Sequence, residues 1–483
     1  MPIKHYIGGT WCDADATDVH EVRNPATEEV LCETPLASAA DVDRAVAAAS
    51  AAFPAWRATP VVERARLLRR FLTLAEARKD ELARILTTEH GKTLSEAAGS
   101  ILRGLECIEV AIGAPSLMMG QSLEDVARGV DCTSTRQPMG VFAAIAPFNF
   151  PAMVPLWFFP FAVACGNTFV LKPSEQVPMC QQFLFELIDE AGFPDGVLNM
   201  VHGGRNVVER LIDHPEIQGL SFVGSTPVAR VVYSGAAAAG KRVNALGGAK
   251  NFLVVMPDAV MDDSLDGVVA SACGCAGERC LAGSVVIAVG DCHDEVRDGI
   301  ARRMRGMKVG DGMHEGVEMG PVISASALKR VQGMVQAGVD DGAELVVDGR
   351  EADLPEKGYF IGPCLLDGVT QEMSIGREEI FGPVITLMTA PTLDAALEMI
   401  HAQPLANAAS IFTSNGGHAR AFTYSVPASM TGVNAGVAAP MTFFGFGGNK
   451  QSFFGDLKAH GRESFDFYTD RKIVISRWPK ASQ

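Results

Sequence analysis

Cys280 is the residue with the plainest capacity for chemistry. It stands in Gly277-Glu278-Arg279-Cys280-Leu281-Ala282-Gly283, after an Ala/Gly/Cys-rich stretch and before the apolar run Val285–Val289. A thiol is a poor nucleophile at its ordinary pKa of about 8.5, and an adjacent guanidinium favours the thiolate. Arg279 carries that charge one residue away. Taken alone, Cys280 fits equally well a small buried core residue, the commonest fate of cysteine. Cys273, Cys275 and Cys280 form C-x-C-x4-C with no second ligand pair and no nearby His, so no metal site is expected.

Three further segments could serve a thiol. In Pro147-Phe148-Asn149-Phe150-Pro151 an asparagine amide is fixed in a Pro-bracketed turn, where it can donate to a developing oxyanion. A turn asparagine that satisfies its own backbone is the plainer reading. Leu171-Lys172-Pro173-Ser174-Glu175 sets a cation and a carboxylate three residues apart just past an apolar run. A carboxylate there can accept the two ribose hydroxyls of an adenosine and disfavours a 2′-phosphate, which points to NAD over NADP. As a surface ion pair it would contribute almost nothing. Phe222-Val223-Gly224-Ser225-Thr226-Pro227 reads as strand, turn and helix start, with Pro in the first turn. Free amides and the Ser225 hydroxyl at such a start suit a pyrophosphate. The G-x-G-x-x-G fingerprint is absent, so a standard dinucleotide fold is not supported.

The elements that position these segments follow from hydrophobic patterning. Residues Val62 to Leu86 read as a helix with Leu67, Leu68, Phe71, Leu72 and Ala75 on one face and Arg66, Arg69 and Arg70 on the other. From Val141 the short apolar runs Val141–Ala146, Thr168–Leu171, Val197–Val201 and Leu220–Val223 alternate with helical stretches Met153–Cys165, Val177–Ala191, Asn206–Asp213 and Pro227–Ala239. Unbroken hydrophobicity means strands buried on both faces, as in a parallel α/β sheet. Ligands of such sheets sit beyond the carboxyl ends of the strands, which puts Pro147–Pro151, Lys172–Glu175 and Gly224–Thr226 on one rim. A second α/β unit begins at Phe252–Met256 and runs to about Phe443. Lys472–Ser476 and Cys132–Gln137 read as β-like material for an extra sheet or a subunit contact.

Composition bounds the rest. The 483 residues suffice for two or three domains. A net charge of −16 argues against a nucleic-acid partner. Met1 to Thr10 has neither an apolar signal core nor an Arg-rich presequence, and the longest apolar stretch, Met153 to Cys165, carries Pro155 and Pro160. No membrane partner is expected. Eleven scattered cysteines fit reduced thiols in a cytoplasmic protein better than a disulfide framework.

In their order and spacing these motifs resemble the aldehyde dehydrogenase superfamily along nearly the whole chain. Asn24-Pro25-Ala26-Thr27, P-F-N-F-P at 147–151, K-P-S-E at 172–175, F-V-G-S-T at 222–226, the Cys280 segment and Glu378-Glu379-Ile380-Phe381-Gly382-Pro383-Val384 carry the likeness. The resemblance implies a Rossmann-like NAD domain, an α/β catalytic domain and a small oligomerisation β-sheet. Their expected extents are 1–121 with 141–250, 251–445, and 122–140 with 460–483, in a homodimer or homotetramer. It also implies that Cys280 attacks an aldehyde while Asn149 and the Cys280 amide hold the oxyanion. Lys172, Glu175 and Ser225 would bind the adenosine half of NAD, Glu379 and Phe381 the nicotinamide half, and Phe148 would also touch the cofactor.

One departure is informative. Hydrolytic members carry a water-activating Glu in E-L-G-G-K, but here the run is Asn244-Ala245-Leu246-Gly247-Gly248-Ala249-Lys250-Asn251. General-base help contributes roughly 10²–10⁴-fold, so a thioester should hydrolyse slowly without it. A thiol acceptor needs less help, which points to coenzyme A. Ala249-Lys250-Asn251, Val254–Ala259, Gly277–Cys280, Phe443–Gly448 and the tail Phe467-Tyr468-Thr469 look like the acylating methylmalonate-semialdehyde dehydrogenase branch. A carboxylated semialdehyde needs a cation in its pocket, and Arg103 and Arg279 are the candidates. The expected products are acetyl- or propionyl-CoA with loss of CO2. The alternatives are a hydrolytic aldehyde dehydrogenase and a catalytically silent relative, the latter disfavoured by Cys280, Asn149 and Glu379 together.

Overall fold

The computed structural model describes residues 3–16 and 18–479. Five apolar runs, Val141–Ile145, Thr168–Lys172, Leu198–Met200, Ile217–Val223 and Arg242–Leu246, pair as parallel strands. Along Val141–Ile145 alternate side chains enter two separate cores: Phe142 and Ala144 one, Val141, Ala143 and Ile145 the other. A strand buried on both faces has no reason to alternate polar residues, and this one does not. Helices Met179–Ala191, Arg205–Asp213 and Thr226–Ala238 occupy the expected connections. Antiparallel edges, His5–Ile7 with Thr10–Cys12 and Phe453–Gly455, complete an eight-stranded sheet.

A second sheet of seven strands runs in the order Glu344–Val347, Cys364–Asp367, Val384–Ala390, Val285–Val289, Phe252–Val255, Ala408–Phe412, Met430–Val433. Only its first pair is antiparallel. A third sheet joins Thr469–Arg477, Val130–Pro138 and Gln121–Ala127, with Lys472 opposite Thr135 and Ile475 opposite Cys132. The two segments singled out as extra β material therefore pair with each other. Leu123, Ile473, Ile475 and Trp478 of this region are exposed. Residues 1, 2 and 480–483, which belong to the expected terminal segments, lie outside the described residues.

Two helix expectations are corrected. Val62–Leu86 is two helices, Val61–Ala77 and Lys79–His90, broken at Arg78 with φ −116° and ψ 16°. Leu68, Phe71, Leu72 and Ala75 are buried and Arg66, Arg69 and Arg70 exposed, so the apolar period runs up to the kink without marking it. The Arg78 side chain leaves the first helix to bond Glu81 and cover the Phe183 ring at 4.4 Å. Met153–Cys165 also divides, into Met153–Leu156 and Phe159–Cys165. Pro160 has no N–H to donate and falls in the first turn of the second helix, where none is needed.

The chain ends by strapping itself onto the first sheet. Phe142, on its central strand, packs against Tyr468 with ring centroids 4.9 Å apart and against Phe467 at 5.8 Å. The Tyr468 hydroxyl lies 3.3 Å from Ser221 Oγ. Phe142→Ala is expected to cost about 3–5 kcal/mol, read as a lower urea midpoint, because a buried aromatic is lost from a filled site. A change below about 0.5 kcal/mol, the scale of a surface substitution, would show that this contact does not anchor the C-terminal segment.

Candidate active site

The polypeptide around Cys280 is forced into an unusual path. Helix Met261–Cys273 is capped by Gly274, and three consecutive left-handed residues follow, Cys275, Ala276 and Gly277, with φ of 51°, 51° and 73°. Such conformations are strained for the first two residue types and persist only where their surroundings hold them. A Cβ at Gly277 would fall on the Gly382 carbonyl, so glycine permits the Cys280 turn to lie against the 378–383 loop. Beyond the turn the backbone is gripped by amides. The Cys280 carbonyl accepts from Asn251 Nδ2 at 3.0 Å and Asn407 Nδ2 at 2.7 Å, and Asn251 also donates to the Ala282 carbonyl at 2.9 Å.

Asn149 is tied to the same turn. One N–H of its amide donates to the Glu278 carbonyl at 2.9 Å, leaving the second for a ligand. Its own carbonyl accepts from the buried Lys92 Nζ at 2.6 Å, and that ammonium sits 4.0 Å from the Phe150 ring centroid. The Glu278 carboxyl is wholly buried. Burial pushes it up to about 8, so it carries its proton at neutral pH.

On the rim, Lys172 is buried and its Nζ donates to Glu175 Oε2 at 2.7 Å. Burial drives the Glu175 carboxyl up, but the charge and hydrogen bond of Lys172, with smaller help from its own backbone amide and His20, together bring the net shift downward. Ser225 precedes helix Thr226–Ala238 as its N-cap, exposed, with a hydroxyl that caps nothing. Phe148 lies between His90 and Phe381, with centroids 6.1 and 5.9 Å away. Phe381 has φ 55°, and Glu379 Oε1 accepts from the Ala249 amide at 2.9 Å. Lys250, buried behind them, donates to the Ile375 and Glu378 carbonyls at 2.7 and 2.8 Å and so fixes that loop.

A cavity of about 270 Å³ opens beside Cys280. Arg103, Arg279, Phe150, Trp157 and His460 line it together with the thiol. Arg103 donates to the Pro440 carbonyl at 3.0 Å and pairs with Glu106 at 2.8 Å. Arg279 pairs with Glu96 at 3.0 Å, and Glu96 also accepts from the Cys275 and Thr93 amides. Among the described residues no group of three or more His, Cys, Asp or Glu is placed to hold a metal ion, and no helix is long and apolar enough to cross a membrane.

Comparison with known proteins decides the class. The model of the aldehyde dehydrogenase family matches residues 11–474. The chain belongs to that family. A curated relative, malonate-semialdehyde dehydrogenase 2 of Geobacillus kaustophilus (strain HTA426), is 49% identical over 477 residues, 99% of each chain. The crystal structure of methylmalonate-semialdehyde dehydrogenase from Oceanimonas doudoroffii superposes with a TM-score of 0.98 at 44% identity, covering 100% of this chain and 99% of that one. An NAD complex from Sinorhizobium meliloti 1021, assigned to the same activity, has a TM-score of 0.98 at 42% identity over 100% of this chain and 99% of its own.

In this aldehyde dehydrogenase the role expected of Arg279 toward the thiol is corrected. Burial pushes the Cys280 thiol up to about 12, the Glu379 carboxylate adds to the rise, and Arg279 opposes it least of the four causes. Adjacency in sequence misled because the guanidinium turns to Glu96. Sequence reasoning also missed Lys92, Asn251, Asn407 and Glu96. Of these only Glu96 left a readable signal, the Thr93-x-x-Glu96 capping box that starts helix Leu94–Ile112.

A thiol with so high a pKa in the ligand-free enzyme is expected to be alkylated by iodoacetamide at a rate that climbs with pH without a plateau near neutrality. Glu379→Gln removes a charge that raises the pKa, so the Cys280 peptide should be modified faster at a given pH, about ten-fold for each unit by which the thiol falls. A plateau at neutral pH in the parent enzyme would show the thiolate already formed.

Proposed function

We propose that the protein oxidises a β-carboxylated aldehyde, malonate or methylmalonate semialdehyde, with NAD, and passes the acyl group from Cys280 to coenzyme A with loss of CO2. The observation that carries this reading is that Arg103, Arg279 and Cys280 line one small cavity. Two guanidiniums are what a carboxylate needs on leaving water, and both share this cavity with the thiol that would meet the aldehyde carbonyl. The activities named for the Geobacillus and Oceanimonas relatives support the same substrate class.

The residues fit NAD. Lys172, Glu175 and the uncommitted Ser225 hydroxyl would hold its adenosine half, and Phe148, Glu379 and Phe381 its nicotinamide half. When bound it supplies the hydride acceptor. Cys280 adds to the aldehyde carbon, and the oxyanion takes the free Asn149 N–H and the Cys280 amide. Such preorganised donors lower the barrier by several kcal/mol, about 3–4 for one donor. Arg279 must exchange Glu96 for the substrate carboxylate. Ala245 and Leu246 are buried apolar side chains, and Leu246 belongs to the cluster against which Cys280 packs. No base stands at those positions to activate water, so the thioester waits for the coenzyme A thiol.

The first sheet and its helices form the NAD domain, the second the catalytic domain, and the third an oligomerisation sheet whose exposed Leu123, Ile473 and Ile475 another copy would cover in a dimer or tetramer. Eleven free cysteines suit the cytoplasm.

NADH formation from malonate semialdehyde should depend on coenzyme A beyond the first turnover and yield acetyl-CoA. Equal turnover without coenzyme A, giving a free acid, would establish the hydrolytic alternative. Arg103→Met and Arg279→Met should each raise KM for malonate semialdehyde roughly 10–100-fold more than for propanal, the loss of one charge-assisted contact. Equal changes with both aldehydes would remove them from the carboxylate.

A further inference from the structure

His460 lines the cavity shared by Cys280, Arg103 and Arg279, and nothing in the steps above uses it. It is the residue before helix Gly461–Phe467 and has φ 42° and ψ −169°, a backbone state that side-chain-bearing residues rarely adopt. The ring is held from three sides. Trp157 packs edge-on at 5.3 Å, Phe446 lies 5.6 Å away, and Nδ1 is 2.9 Å from the Phe444 carbonyl. A carbonyl only accepts, so Nδ1 carries the hydrogen and Nε2 is left facing the cavity, with no hydrogen-bond partner among the described residues. The segment that bonds His460 also bonds Arg103, through the Pro440 carbonyl, so imidazole and guanidinium are anchored to one loop.

Loss of CO2 from a β-carboxylated thioester makes a demand that the oxidation does not: a proton must reach the α-carbon. The other polar groups of the cavity are occupied or too weakly acidic. Glu96 is held by two amides and Arg279, the Cys275 thiol is engaged by Arg279, Ser100 Oγ donates to the Ala97 carbonyl, and the Thr442 hydroxyl is not an acid in this range. We propose that His460 is the proton donor of the decarboxylation step, Nε2 delivering its proton to the α-carbon of the thioester on Cys280.

This rests on the substrate class proposed above. The step balances. The bond between the α-carbon and the carboxylate breaks and CO2 leaves. The electron pair forms the thioester enolate, whose oxyanion sits at Asn149, and the α-carbon takes the proton from Nε2. Solvent reloads the nitrogen when the next substrate binds. Burial pushes the imidazole down to about 4, with Arg103 adding to the fall, so the ring by itself is neutral. An arriving carboxylate offsets the arginine charge and gives the imidazolium a counter-ion, which ties proton uptake to the substrate that consumes it.

His460→Gly tolerates the positive φ and leaves a space the size of an imidazole ring. With malonate semialdehyde, NAD and coenzyme A, the variant should lose about 10²-fold in acetyl-CoA formation, the scale of general-acid help. The undecarboxylated malonyl-CoA share should rise, propanal oxidation should fall much less, and added imidazole should restore acetyl-CoA. Unchanged activity, an equal loss on both aldehydes, or a selective loss that imidazole leaves untouched would overturn the assignment. If the parent enzyme itself makes no acyl-CoA, it is the substrate reading that fails.

Discussion

The grip of asparagine amides on the peptide around Cys280 is what the rest of the site depends on. Asn251 begins the strand Phe252–Val255, Asn407 precedes Ala408–Phe412, and both donate to the Cys280 carbonyl. Each bond is worth about 1 kcal/mol net, but a buried carbonyl left without either would cost more, so the pair fixes where the turn can go. Asn251 is itself held, because its Oδ1 accepts from the Ala408 amide. The two strands therefore set the thiol's position directly, and the left-handed run at Cys275–Gly277 absorbs the mismatch between helix and strand. Asn149 then inherits its place from that turn through the Glu278 carbonyl.

Ionisable groups surround this frame in numbers unusual for a buried region. Lys92, Lys250 and Glu278 have almost no exposed surface. Each reaches backbone groups rather than a close ion partner: Lys92 the Asn149 carbonyl, Lys250 two carbonyls before Glu379, and Glu278 the Ile323 amide. A long side chain ending in several donors can join loops distant in sequence, which an apolar side chain cannot. Desolvation is the consequence. It moves Lys250 down to about 7 and Glu278 up to about 8, so these groups are close to neutral where a dry site would punish a full charge.

The strand ends were legible in the sequence because burial on both faces leaves an unbroken apolar run, and the chemistry of a parallel sheet gathers at the ends of such runs. That logic brought Asn149, Lys172, Glu175 and Ser225 to one rim without any contact being known. The arginines were legible only in part. Arg103 and Arg279 were named for the carboxylate and do share a cavity, yet the adjacency that suggested Arg279 as a thiol activator says nothing of where a long side chain turns. Arg78 was hidden for a related reason. The apolar period reaches the kink intact, and the break comes from a guanidinium that prefers Glu81 and Phe183. Asn407 and Lys92 gave no signal, and Asn251 none beyond its place in a family-like run, since a lone Asn or Lys looks the same whether it binds solvent or the peptide of Cys280.

The Glu96–Arg279 pair satisfies the guanidinium beside Cys280 from within the protein itself. A buried guanidinium with no partner would be costly, whereas here Glu96 meets it and is in turn stabilised by two amides and by its position in the first turn of Leu94–Ile112. A neutral aldehyde gives Arg279 no reason to leave. The carboxylated aldehyde proposed as substrate would offer a second acceptor while the amides continue to hold Glu96, so the exchange would leave no charge bare. Discrimination would then come from the difference between two satisfied arrangements rather than from filling an unsatisfied one. On the proposed reading it would act at the residue next to Cys280, in the turn that presents the thiol.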